Sequence, residues 1–144
     1  MILDALNLFS VAQAVTAAAA SGNVIDLGSA RDLGVGENLY IGLTVDVAMT
    51  DAGSDSTLTV ALESDVDETF ATSPTTKTLF TIPATSAIGY QVFARISPAD
   101  ANQRYIRLYF TPNTGDLTTG SFTTFIVKDI QKVIDYPIGS VVNP

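Results

Sequence analysis

The sequence contains no cysteine, no histidine and no tryptophan. Without cysteine there is no disulfide framework and no thiol nucleophile. Without histidine as well, the ordinary zinc ligand sets and the Ser-His-Asp and Cys-His catalytic arrangements are excluded. The missing tryptophan removes the usual stacking platform for sugars. Charge is also scarce: charged residues make up 15% of the chain, against about 25% in an average soluble protein. The scarcity falls mainly on the basic side, where 7 Lys and Arg face 15 Asp and Glu for a net charge of −8. Such a chain repels the phosphates of nucleic acid and of anionic membranes, and neither is expected as a partner.

What is present is apolar material, 47% of 144 residues, enough for the core of one domain of ordinary size. The stretch Ala5 to Ala20 is rich in small and apolar residues but lacks the basic n-region of a secretory signal, since position 4 is Asp and the first basic residue is Arg31. No run of eighteen residues is free of polar groups, so a soluble protein without a membrane span is expected. Nine acids and no base lie between Arg31 and Lys77 (Asp32, Glu37, Asp46, Asp51, Asp55, Glu63, Asp65, Asp67 and Glu68). They are expected to form solvated loops that keep an apolar protein soluble.

Alternation with a period of two dominates the chain. From Leu39 to Thr50 the residues Leu39, Ile41, Leu43, Val45, Val47 and Met49 share one face, which is the pattern of a strand with one side in a core. Leu58, Val60 and Leu62 repeat it. Further β-branched and aromatic runs are Thr76 to Ile82, Tyr90 to Ser97, Tyr105 to Thr111 and Ser121 to Gln131, each bounded by turn residues. Phe9 to Thr16, with Phe9, Val11 and Val15 on one face, and Asn23 to Leu27 bring the number of strands to eight. Phe9 to Ala20 could alternatively form a helix, because alanine is the best helix former, but regularly spaced short strands favour a sandwich or barrel. The domain is expected to span 1–135, and 136–144 reads as an extended C-terminal arm with apolar Ile138, Val141 and Val142.

Candidate chemistry is thin. Ser64 to Glu68, with Asp51 and Asp55, could offer oxygen ligands to calcium, but the ligand order and central glycine of an EF-hand are absent. Paired carboxylates such as Glu63 could serve glycoside hydrolysis only across a sugar cleft that the sequence does not show. No catalytic, cofactor-binding or metal residue is therefore expected, and no cofactor. The more informative run is Arg104 to Phe110: Ile106, Leu108 and Phe110 point one way, and Tyr105, Arg107 and Tyr109 the other. Tyr and Arg are enriched in protein interfaces. Phe93 and Phe125 are likewise out of phase with the inward residues of their strands. Phe93, Tyr105, Arg107, Tyr109 and Phe125 are thus candidates for surface covered by another subunit, with burial under the protein's own loops as the alternative. Tyr40, Tyr90, Tyr105 and Tyr109 leave open a carbohydrate-binding module.

The residues Phe9-Ser10-Val11-Ala12-Gln13-Ala14-Val15-Thr16 and Ser21-Gly22-Asn23-Val24-Ile25-Asp26-Leu27-Gly28 resemble the opening of the capsid cement proteins of tailed bacteriophages, the jelly-roll family typified by the Bordetella phage cement protein. Leu58-Thr59-Val60-Ala61-Leu62-Glu63-Ser64-Asp65 with Phe70 resembles that family's central strand and acidic loop. Arg104 to Phe110 is similar to its late strand, which precedes the Gly120 to Val127 return. The resemblance implies an all-β, eight-stranded antiparallel jelly-roll β-sandwich that assembles as a homotrimer. It further implies a non-enzymatic role on the outer surface of the capsid, tying neighbouring copies of the major capsid protein together.

Overall fold

The computed structural model describes residues 4–30, 33, 36 and 38–128. These residues form nine strands: β1 Leu8–Ala14, β2 Ala19–Ala20, β3 Ile25–Asp26, β4 Tyr40–Thr50, β5 Leu58–Asp65, β6 Thr75–Ile82, β7 Gln91–Arg95, β8 Tyr105–Pro112 and β9 Thr119–Val127. One antiparallel sheet has the order β1-β9-β4-β7, and the other runs β2-β8-β5-β6 with β3 also paired to β8. Each sheet alternates early and late strands, so successive strands cross repeatedly between the layers, and this is the two-Greek-key wiring of a jelly roll. Among the described residues, no helix is long and apolar enough to cross a membrane.

The number of strands is nine because one jelly-roll position is shared by two fragments. The segment Ile25–Asp26 was expected, but Ala19–Ala20 also pairs, with Phe110 and Tyr109 of β8. The alanine run therefore does not extend a helix from Phe9. Gln13 holds the two fragments against β1 by donating from Nε2 to the Ala20 carbonyl at 2.8 Å and accepting from the Gly22 amide at 2.8 Å. At the other end of the chain β9 stops at Val127, while residues 129–131 of the expected strand and the arm 136–144 lie outside the described residues.

The inner faces carry the residues that the alternation selects. Ile41, Leu43, Val45 and Met49 of β4 meet Leu58, Val60 and Leu62 of β5, with Ile106, Leu108 and Phe110 of β8 and Phe9 and Phe122 completing the core. Burying one such side chain stabilises the fold by about 1.5–3 kcal/mol. The rings of Phe110 and Phe122 stack across the two sheets at 6.3 Å. Two expected core residues are not in it. Val47 is 48% exposed and Val11 65% exposed. Both lie where the pairing register slips: β4 against β9 on either side of Val47, and β1 against β9 between Ser10 and Gln13. Ala12 takes a positive φ of 44° there. A bulge turns the residues at it out of the alternation, so strict period two misplaces both valines, while Val15 and Met49 beyond them return to the core.

Strand direction gathers the loops 15–18, 51–57, 83–90 and 113–118 at one end of the sandwich, where Asn113 bonds Thr57, Leu117 bonds Thr16 and Met49 bonds Ser86. The turn Ala5–Asn7 and the loops 66–74 and 96–104 occupy the other end. The acidic block is not a single patch, because Asp51 and Asp55 lie at the first end and Asp65, Asp67 and Glu68 at the second. The described bases (Lys77, Arg95, Arg104, Arg107 and Lys128) all belong to the half nearer the second end. Charge is thus divided along the strands and not between the earlier and later halves of the sequence.

Candidate functional site

The outer face of the β2-β8-β5-β6 sheet carries Tyr105, Arg107 and Tyr109, as the period-two reading requires. Pairing in register places Glu63 of β5 opposite Arg107 and Asp26 of β3 opposite Tyr105. The Arg107 guanidinium donates from Nε to Glu63 Oε2 at 2.7 Å, with only 20% and 12% of the two side chains exposed. It also lies 4.0 Å above the centre of the Phe70 ring and 5.9 Å from that of Tyr109. Arg107 is therefore already committed within its own chain. The physical reason is that a largely covered cation needs an anion, and Glu63 is its cross-strand neighbour.

Phe70 reaches this position from the loop 66–74, and it does so with φ at 57°, in the left-handed region. For a bulky residue that conformation costs of order 1–3 kcal/mol, so the surroundings must impose it. Asp65 contributes by accepting from the Val66 amide at 2.6 Å and the Asp67 amide at 3.2 Å on Oδ1, and from the Thr72 amide at 3.3 Å on Oδ2. Asp67 continues the pattern. Its carboxyl lies below the usual carboxylate range because it accepts from the Thr69 amide and then from the Thr69 hydroxyl.

A second pair flanks the first. Arg104 grips Asp26 through two parallel hydrogen bonds of 2.8 and 2.9 Å, while its guanidinium lies 4.9 Å from the centre of the Tyr105 ring. The Asp26 pKa is lowered to about 2, first by the Arg104 side-chain hydrogen bond, then by the Gly28 amide, with the Arg104 charge adding to both. The resulting outer face is a row of tyrosine rings separated by ion pairs, which offers flat area with polar edges.

Phe93 and Phe125 do not join that row. They sit on the outer face of the opposite sheet, edge to face at 6.2 Å, above Gly42. Phe125 is 1% exposed. Its ring is covered by its own chain, so own-chain burial, the alternative to a subunit contact, is what the structure shows for this residue. Phe93 beside it is half-buried. Of the tyrosines considered for sugar binding, Tyr105 and Tyr109 alone share the β8 row. Tyr40 opens β4 in the other sheet, and Tyr90 belongs to the 83–90 loop.

The acidic side chains spend their oxygens on loop backbone. Asp51 Oδ2 accepts from the amides of Gly53 and Asp55 at 3.1 and 3.3 Å, and its Oδ1 is buried without a partner. Among the described residues, no three acidic side chains converge as a metal-ligand set. Glu63, the carboxylate considered for glycoside chemistry, is engaged by Arg107. Sequence reading alone did not connect Glu63, Phe70 and Asp26 with Arg107 and Tyr105, because cross-strand partners are defined only once the register is known. A scan of curated proteins finds no match to this chain. A protein-family model named Bbp16 matches residues 9–126, from the first core phenylalanine to the last residue but one of β9. The chain therefore belongs to the Bbp16 family of bacteriophage proteins.

Proposed function

We propose that this protein is a capsid cement protein, which binds the outside of the mature phage head as a homotrimer and clamps neighbouring major capsid proteins together. The observation that carries this reading is membership of a phage family over residues 9–126, on a jelly roll whose chemistry is that of contact. Ion pairs and carboxylate caps hold the outer faces and loops in shape, and the protein works by covering surface and not by turning over a substrate. The tyrosine row of β8 supplies area that is apolar on its faces and polar at its hydroxyls, which suits a rim or core of an interface.

The mechanism is additive contact. Packaged DNA loads the shell outward, and a body bonded to two or more shell subunits raises the free energy needed to part them. A trimer engages several sites at once, so individually modest contacts combine through effective concentration. The net charge of −8 keeps the decorated outer surface soluble.

The test is to mix the purified protein with expanded, undecorated heads and to image them. Stoichiometric density at symmetry-related positions on the exterior is expected, and heads that remain bare under saturating protein would overturn the reading. Light scattering at micromolar concentration is expected to give the mass of a trimer. Tyr105 and Tyr109 on one face also favour a carbohydrate-binding module, which glycan-array binding lost on Tyr105→Ala or Tyr109→Ala would support in place of cement.

A further inference from the structure

Toward the first end of the sandwich, small residues on β9 leave a trough in the outer face of the β1-β9-β4-β7 sheet. Ala14 of β1 and Val47 of β4 both pair with Ser121 of β9, so one rank across three strands has a small side chain at its centre. The result is a groove of about 240 Å³ lined by Ala14, Thr16, Val47, Thr119, Gly120 and Ser121. Much of its polar lining is already engaged. The Thr119 hydroxyl donates to the Ala48 carbonyl at 3.0 Å and bonds the Thr50 hydroxyl at 2.7 Å, the Gly120 carbonyl accepts from the Val15 amide, and the Thr16 carbonyl accepts from the Leu117 amide. The groove therefore offers mainly apolar contact, with Val47 48% exposed in its wall. On the other side of β4, Val45 and Met49 bond the segment 86–90, which brings Ile88, 70% exposed, alongside Val47.

The charge around this groove has one sign. Asp46 precedes Val47, Asp51 follows Thr50, whose carbonyl accepts from the Thr118 amide, and Asp116 is exposed two residues before Thr118. The described bases all belong to the other half of the sandwich. An apolar groove set among acids selects an apolar side chain flanked by bases. A second copy of the chain presents none among its described residues, because its exposed Leu6 lies two residues from Asp4, Val24 two residues from Asp26, and Val66 between Asp65 and Asp67. We propose that the groove is a docking site for a different protein and seats one leucine-sized or aromatic side chain of that partner, with Lys or Arg on either side of it. The volume agrees, since a cavity of about 150 Å³ already holds a benzene ring. Burial of the apolar side chain supplies the attraction, and the exposed charges add a modest selectivity. The inference concerns the isolated chain and is independent of the capsid reading.

The test titrates the full chain, labelled with nitrogen-15, with end-blocked tripeptides and follows its backbone amide resonances. Lys-Leu-Lys is expected to shift the amides of residues 14–16, 47 and 118–121 and to saturate in the millimolar range. Glu-Leu-Glu is expected to bind at least about fivefold more weakly, because two attractive charge contacts become repulsive. Lys-Ser-Lys, which keeps the charges and loses the apolar side chain, is expected to leave those amides unmoved. Val47→Gln is expected to weaken Lys-Leu-Lys binding at least about fivefold by removing apolar wall, and Ala14→Gln serves as a second variant should the first fold poorly. No response to Lys-Leu-Lys overturns the proposal, as does an equal response to either control peptide or a set of shifts lying outside the groove. Shifts of the same amides that grow with protein concentration in the absence of peptide, and are lost in Val47→Gln, also overturn it by assigning the groove to a second copy.

Discussion

Arg107 is the residue whose meaning changes most between sequence and structure. On a strand diagram it is an outward arginine between two tyrosines. In the fold it is the hub of a small assembly that joins β8, β5 and the 66–74 loop through Glu63 and Phe70. Arg107→Ala removes the partner of a carboxylate that is only 12% exposed and takes the platform from Phe70. A loss of about 2 kcal/mol is expected, read from urea unfolding of the isolated protein. A variant as stable as the parent would return Arg107 to the role of a free contact residue. Gly42 makes a simpler case. A Cβ placed there would lie 2.6 Å from the Phe125 ring and 2.7 Å from that of Phe93, and neither ring is a flexible tip that moves cheaply. Gly42→Ala is expected to cost about 1–3 kcal/mol through overpacking, measured the same way, with part of the loss recovered when Phe93→Leu is added.

Among the elements, the loop between β5 and β6 depends on one side chain at the end of β5. Asp65 is 3% exposed and accepts from three loop amides, so it replaces the strand partners that the backbone loses when it leaves the sheet. Asp65→Ala is expected to leave the sheets intact but to open residues 66–74 to proteolysis, with cleavage there accelerating several-fold over cleavage elsewhere. Unchanged digestion would show that Phe70 alone secures the loop. The strands themselves were legible in the sequence. β5, β8 and the first half of β4 appear where alternation places them, because each buries one face continuously. β1 and β4 were legible as strands but the outward facing of Val11 and Val47 was not, since a bulge depends on how the partner strand is paired. The Ala19–Ala20 strand has no β-forming residue at all, and its existence is due to β8 offering it hydrogen bonds.

For the whole molecule, charge acts along the strand axis, and its strongest local expression is the Arg104–Asp26 pair at the second end. Asp26 titrates near 3.8 when unperturbed and near 2 in the fold. Between those values the unfolded chain binds the extra proton, so stability rises with pH across that window. The contribution is complete above the unfolded value and disappears as pH falls through the folded one. Thermal unfolding followed from pH 5 to pH 2 is expected to show this slope, and Asp26→Asn is expected to flatten it, being less stable than the parent at neutral pH and converging with it toward pH 2. An identical slope in both proteins would mean that other carboxylates set the acid limit. Both side chains are almost half exposed, so added salt is expected to weaken the effect.

The sequence by itself determined the class of protein: all-β, acidic, poor in the residues that catalysis uses, with core strands written in a period of two. That much is local information, since alternation records which face of a strand is buried whatever it is buried against. Tertiary structure alone decided which outward residues are free. Phe125 and Arg107 look equally available along the chain, yet one is buried under its own chain and the other is tied to Glu63. The physical reason is that an outward side chain is satisfied or exposed according to its neighbours in other strands and loops. Those neighbours, from Glu63 opposite Arg107 to the rings above Gly42, are set by pairing between residues far apart in sequence.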